Sequence, residues 1–264
     1  MTATKRIILC ADDFAQNAAI SDGILELAGA GRLSAVSCFS DAPLWRDYGP
    51  RLVECAGHEL LIGLHFNLSE PFGYAERPLR YWMLASVTGR VSLDALRAHL
   101  QRQIDAFADV RGRLPDFIDG HQHVHAFPGI RSVVHERARA AAGTERILIR
   151  DVSAPVGRTD APLKRRVIRA LANWGPPPSD AGAHWINRSF AGDYSLSPRA
   201  DFGGLFADWL AASTDRGLIM CHPGRAEDSR HAFRERELAF FSAEDFPALL
   251  SSHDCRLATS QTLH

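Results

Sequence analysis

Short apolar runs alternate with longer amphipathic segments along this chain of 264 residues. Residues 6–11 (RIILCA) are short, apolar and followed by acidic residues, which reads as a buried strand. Asn17 or Ser21 caps a following helix with Ile20, Ile24, Leu25 and Ala28 as its apolar face, stopped around Gly29 to Gly31. The pattern predicts further strands at 35–39, 60–66, 117–119, 147–149 and 218–221. It predicts helices at 44–56, 93–110 with Ser92 as cap, 130–142, 162–174, 205–212 and near 245–251. In the longest of these, Leu96, Leu100, Ile104 and Phe107 follow a helical period. The Gly-Pro-Pro-Pro segment at 175–178 reads as a loop. Strands alternating with helices imply parallel pairing in an α/β fold. Residues 70–90 and 175–203 fit the alternation poorly and read as excursions over one face of a single domain spanning 1–264.

Composition narrows the function. With 30 Lys+Arg against 31 Asp+Glu the net charge is -1, so there is no overall field for nucleic acid or an anionic membrane. No apolar run has the length that a membrane helix requires, so no membrane insertion is expected. The opening MTATKRIILCADDF does not read as a signal peptide. The five cysteines are scattered without a C-x-x-C pair, which suits reduced thiols in a cytoplasm. Walker, G-x-G-x-x-G and G-x-S-x-G motifs do not occur, which removes nucleotide and serine-hydrolase readings.

The polar residues directly after each apolar run carry the chemistry. Asp12 and Asp13 follow the first, and His65 ends the third. Asp119, His121, His123 and His125 follow the fourth, Arg150 the fifth, and His222 a later one. In parallel α/β folds the strand C-termini share one rim, so groups of metal-ligand type gather there from distant segments. Asp12-Asp13 reads as a helix cap with a solvated neighbour, or as one metal-bound aspartate beside a free base. In DGHQHVH (119–125), an extended backbone would point the three alternate histidines one way. His65 alone reads as a core histidine; with the other two segments it completes an Asp/His/His site. That set exceeds what one catalytic metal needs, and composition does not choose among its members.

The blocks Ala11-Asp12-Asp13-Phe14, Gly63-Leu64-His65, Asp119 to His125 and Cys221-His222-Pro223-Gly224 resemble the YdjC family of carbohydrate deacetylases. That family includes chitooligosaccharide and hopanoid-associated deacetylases. The blocks occur in the family's order over about four fifths of the chain. The resemblance implies a deformed (β/α) TIM-like barrel, with Asp13, His65 and His121 as metal ligands and Asp12 as base. It departs from the family at Ala15, usually glycine, at Gly120, commonly serine, and at Phe66 to Ser69, usually threonine-rich.

The expected reaction is removal of an acetyl group from an N-acetylated sugar, with one divalent ion, magnesium or zinc, activating water. His222 is the expected acid for the leaving amine, on the argument that a histidine pKa lies near working pH; a capping role is its alternative. Arg150 either orients Asp12, contacts the oxyanion, or pairs with Asp151 or Asp116. Asp119, His123 and His125 are read as supporting or substrate-facing groups. Of the five tryptophans, Trp82 is the one expected to stack on a sugar, and a homodimer is the expected assembly. The rivals are another metal-dependent amidohydrolase or phosphoesterase, and a non-catalytic sugar-binding relative.

Overall fold

The computed structural model describes residues 4–57, 59–72, 77–141, 146–175, 184–225 and 231–263. Among the described residues, eight parallel strands make one sheet: β1 (Lys5–Phe14), β2 (Ala35–Cys38), β3 (Leu61–Phe66), β4 (Phe117–Gly120), β5 (Leu148–Ile149), β6 (Ser189–Ala191), β7 (Gly217–Cys221) and β8 (Cys255–Leu257). Their order is β5-β4-β3-β2-β1-β7-β6, and β8 pairs with the first residues of β1. Isolated parallel bridges from Ile149 to Trp185 and from Pro155 to Phe190 tie the two edges together. The sheet is thereby curled into the deformed (β/α) barrel that the sequence motifs implied.

The helices are α1 (Ala18–Gly29), α2 (Trp45–Ala56), α3 (Leu79–Val87), α4 (Leu93–Arg111), α5 (Ile130–Ala140), α6 (Pro162–Ala172), α7 (Phe202–Ala212), α8 (Ala232–Ser242), α9 (Phe246–Ser252) and α10 (Ser260–Leu263). Asn17 is the cap of α1: its side chain accepts from the Ile20 amide at 2.8 Å, while Ser21 bonds backward to the Asn17 carbonyl. Ser92 caps α4, which ends at Gly112 with φ 78. The expected end of the fifth helix at Ala142, and all but the first residue of the 175–178 loop, lie outside the described residues. The poorly fitting stretches hold α3 and β6. Both β6 and β8 have only three residues, too few to show a period. The helix α8 was hidden differently, because its inward face carries Arg234 and Glu237 between Phe233 and Phe241. Two buried charges erase the apolar stripe by which helices are read.

Strand alternation decides which residues enter the barrel. Ile7, Leu9 and Ala11 of β1 pack outward against the helices, while Ile8 and Cys10 join Ala35, Leu61, Phe117, Leu148, Leu218 and Met220 in a separate inner cluster. The Phe117 ring lies across Gly63, where a Cβ would collide with it. Continuing each inward series by two residues, or by four through Gly63 in β3, reaches Asp12, Ser37, His65, Asp119, Arg150 and His222. The barrel interior is therefore apolar below and polar at the strand C-termini.

Candidate metal centre and active site

By alternation Asp13 ought to face away from Asp12. The pairing of β1 with β2 shifts register between Ala11 and Phe14, and Asp13 takes φ 70. This irregularity turns Asp13 back toward the rim, as bulges beside active sites do. Both carboxylates are then buried, at 2% and 3% exposure.

His65 and Asp119 are register partners across β3 and β4, and His65 Nδ1 donates to Asp119 Oδ1 at 2.7 Å. Ser37 donates to the same oxygen at 2.5 Å. With Nδ1 committed to Asp119, His65 Nε2, 3.4 Å from Asp13 Oδ1, is the nitrogen whose lone pair an ion would claim once its proton is displaced. His121 shows the same logic with the nitrogens exchanged. Its Nε2 lies 3.1 Å from Glu70 Oε1, and its Nδ1 lies 3.2 Å from Asp13 Oδ1 and 3.4 Å from His65 Nε2. Asp13 Oδ2 is held by Arg234 at 2.6 Å.

Three ligand atoms thus converge with 3.2–3.4 Å between them. Ligands about 2.1 Å from one ion stand roughly 3.0 Å apart at right angles and about 3.4 Å apart at the tetrahedral angle. Asp13 Oδ1 is buried and lacks a well-formed hydrogen bond, with only the two imidazole nitrogens near it, and such an atom is costly unless a cation or their protons meet it. Asp13, His65 and His121 therefore fit a divalent ion. The second grouping of possible ligands, Cys10, Asp12 and Asp119, is already filled by the Arg150 guanidinium.

Electrostatics agree. Asp12, Asp13, Asp119 and Glu70 face two guanidiniums, so without an ion the site draws protons. Burial alone would lower the His65 pKa, yet Asp119 and Asp13 overcome it and lift it to about 10. His121 is raised by Asp13 and Glu70 against the same burial. Burial would push the Asp13 carboxyl up, but Arg234, His121 and His65 hold it well below the usual carboxylate range.

Arg150 grips Asp12. It is 1% exposed, its two terminal nitrogens reach the Asp12 oxygens at 2.7 and 2.6 Å, and it stands 2.5 Å from Asp119. The alternative partner Asp116 pairs with Arg111, and Asp151 caps Ser153 through its side chain. His222 senses the charges of both Asp13 and Asp12 from the β7 end, but burial pushes its pKa down to about 4. The expectation that it titrates near neutrality is corrected on that ground. Its backbone amide donates to Glu237 Oε2 at 2.5 Å, and Tyr194 donates to the other oxygen of Glu237 at 2.5 Å. Burial raises the Glu237 carboxyl to about 7.

The backbone after β4 is not extended, so the three alternate histidines do not point one way. His121–Ala126 is a 3₁₀ turn in which Gln122 and His123 adopt φ 53 and 61, so only His121 reaches the ligand cluster. His123 is buried against Phe190 and His125. His125 Nε2 donates to the Arg150 carbonyl at 3.0 Å, which fixes the backbone of the residue that grips Asp12. A Cβ at Gly120 would lie 2.9 Å from the His125 amide, so any larger residue there would force the backbone to shift. Ala15 adopts φ 70, the conformation in which glycine is easier. Trp82 is partly buried against the core and donates to the Leu68 carbonyl at 2.7 Å. Sequence reading missed Glu70, Arg234, Glu237 and Ser37. Of these, Ser37 was accessible from the inward series of β2, whereas the others sit on a loop and a helix.

Residues 6–252 match the sequence model described as YdjC-like protein. The chain belongs to the YdjC-like family. Among curated relatives, a carbohydrate deacetylase of Homo sapiens is 33% identical over 151 residues, covering 51% of this chain and 46% of that protein. The match therefore spans about half the length of that relative. A chitooligosaccharide deacetylase of Serratia marcescens is 32% identical over 240 residues, covering 83% of this chain and 81% of that one. A crystal structure from Enterococcus faecalis, of a protein provisionally assigned to cellobiose-phosphate cleavage, superposes with a TM-score of 0.72 at 17% identity over 99% of both chains. That likeness establishes a shared fold for this YdjC-like chain. No helix among the described residues is long and apolar enough to cross a membrane.

Proposed function

We propose that this YdjC-like protein is a metal-dependent carbohydrate N-deacetylase that hydrolyses the acetamide of an N-acetylated sugar. The observation that carries the reading is the convergence of Asp13 Oδ1, His65 Nε2 and His121 Nδ1 beside a second aspartate that Arg150 grips at both oxygens. The names of the human and Serratia relatives point to the same chemistry. Asp13, His65 and His121 would hold a divalent ion, magnesium or zinc, which when bound would supply Lewis acidity and make water more acidic.

The chain's own residues do the rest. Asp12, aimed by Arg150, removes the proton of the attacking water. The tetrahedral carbon carries an oxyanion, and the amine leaves only once its nitrogen is protonated. His222 delivers that proton. It is neutral in the resting protein, so the proton it hands to the amine is the one Asp12 takes from the attacking water, passed on as the negative charge of the intermediate raises the proton affinity of His222. His125 and Asp119 hold Arg150 in place. The free cysteines fit a cytoplasmic setting.

The test is release of acetate from a panel of N-acetylated mono- and oligosaccharides, before and after chelation and after returning magnesium or zinc. The expected result is turnover of at least one sugar that stops on chelation and returns with metal. Turnover indifferent to chelator removes the metal from the mechanism. No turnover of any acetylated sugar by metal-loaded protein rejects the deacetylase reading.

A further inference from the structure

We propose that Glu70 is a positioning residue of the metal centre, fixing which nitrogen of His121 faces the ion, and that Asn67 places Glu70 for that task. The inference rests on the metal reading above and extends it to a loop that the sequence motifs do not cover.

A neutral imidazole offers one lone pair, and the hydrogen bond at its other nitrogen decides where that lone pair points. For His65 the partner is Asp119, wholly buried and set by strand register. For His121 the partner is Glu70, whose side chain is 28% exposed and belongs to a loop. The carboxylate at Nε2 keeps the proton there and opposes rotation of the ring, so Nδ1 stays turned toward Asp13 and His65.

A loop carboxylate can orient a ligand only if the loop is itself held, and this one is. The Asn67 side-chain oxygen accepts from the Ser69 amide at 3.0 Å and the Glu70 amide at 2.9 Å, an Asx turn that fixes the Glu70 backbone. The Asn67 side-chain nitrogen donates to Asp41 at 2.9 Å and back to the Glu70 carbonyl at 3.1 Å. The buried Gln103 side chain clasps Asn67 from α4, accepting from its amide at 2.9 Å and donating to its carbonyl at 2.7 Å. Trp82 grips the carbonyl of Leu68. The chain of contacts runs from α4 through Asn67 and Glu70 to His121.

The experiment titrates metal-free protein with zinc against a chromophoric chelator, comparing wild type with Glu70→Gln, Glu70→Ala, Asn67→Ala and the double variant Asn67→Ala/Glu70→Ala. Loss of such a partner weakens metal affinity by about 10- to 100-fold, and Glu70→Ala is expected in that range. Glu70→Gln, whose amide oxygen still accepts from Nε2, is expected between it and wild type. If Asn67 acts through Glu70, the double variant binds zinc as Glu70→Ala does, to within about twofold, whereas an unrelated structural loss adds to it. Imidazole nitrogen shifts of His121 in metal-free protein above its pKa supply a second readout, expected to move from a single Nε2-protonated form to a tautomer mixture in Glu70→Ala. Wild-type protein that binds no zinc rejects the metal reading itself. Zinc binding that is abolished by Asp13→Ala but unchanged by Glu70→Ala overturns this inference alone. Additive losses in the double variant overturn the role of Asn67. The single Glu70 variants keep Asn67 and so are independent of whether Asn67→Ala folds, and the Glu70 side chain is partly exposed.

Discussion

Arg150→Met isolates the electrostatic keystone of the site. The wild-type guanidinium is 1% exposed and is the cation in contact with two buried carboxylates, Asp12 at 2.6 and 2.7 Å and Asp119 at 2.5 Å. Methionine fills much of the same volume but leaves both anions without it. Removing one partner of a buried pair costs about 3–5 kcal/mol, and a native stability of roughly 5–15 kcal/mol leaves the variant folded but marginal. The loss is also expected to depend on pH. In wild type, burial disfavours the Asp119 anion, but Arg150 and His65 outweigh it and hold the carboxyl below the usual range. Its ionisation therefore adds stability at every pH above the unfolded value near about 3.9, lost only as pH falls through the folded value. Without Arg150 the first of those opposing charges is gone while His65 remains, so the folded pKa rises and ionisation contributes less stability than in wild type. Each unit of that rise is worth about 1.4 kcal/mol. Urea unfolding of chelator-treated wild type and variant, followed by circular dichroism at neutral and mildly acidic pH, measures the gap. It should be about 4 kcal/mol at neutral pH and narrow by more than about 1 kcal/mol on acidification. A neutral-pH gap under about 1 kcal/mol, or one that widens in acid, refutes the reasoning.

The two adjacent aspartates should separate cleanly: Asp12→Asn keeps metal but loses activity by about 100-fold or more, while Asp13→Ala loses both together, as metal analysis alongside acetate release will show. His222→Ala should slow an N-acetyl sugar far more than an activated aryl acetate, whose phenolate leaves unaided; equal losses on both substrates return His222 to a structural role. Metal affinity should climb with pH by about one to two decades per unit across the neutral range, because the ion must displace protons from His65 and His121, and buffer-dependent calorimetric heats count those protons. By the same shift, His65 adds stability to the metal-free protein that is complete below its unfolded pKa and vanishes as pH rises through about 10. Ala15→Gly should stabilise the protein by about 0.5–1 kcal/mol in denaturant unfolding, since it removes a Cβ from a left-handed residue at φ 70; a lower midpoint would show that the methyl packing outweighs the strain.

What the linear chain determined follows from its local periods. The period of two in the strands decided which residues enter the barrel, so Asp12, His65, Asp119, Arg150 and His222 were legible as one rim before any coordinates. The helical period gave α1, α2, α4 to α7 and α9, because each of those buries a face of uncharged residues. Tertiary structure alone decided the rest. Asp13 joins Asp12 only because β1 shifts register beside β2, and His121 parts from His123 and His125 only because two left-handed residues coil the backbone. Neither event has a period for a sequence to display. Glu70 and Arg234 arrive from a loop and from α8, and their meaning lies in contacts to residues 51 and 221 positions away. Long-range pairing of charges depends on where the folded chain brings them, since burial removes the water that would otherwise screen each one alone.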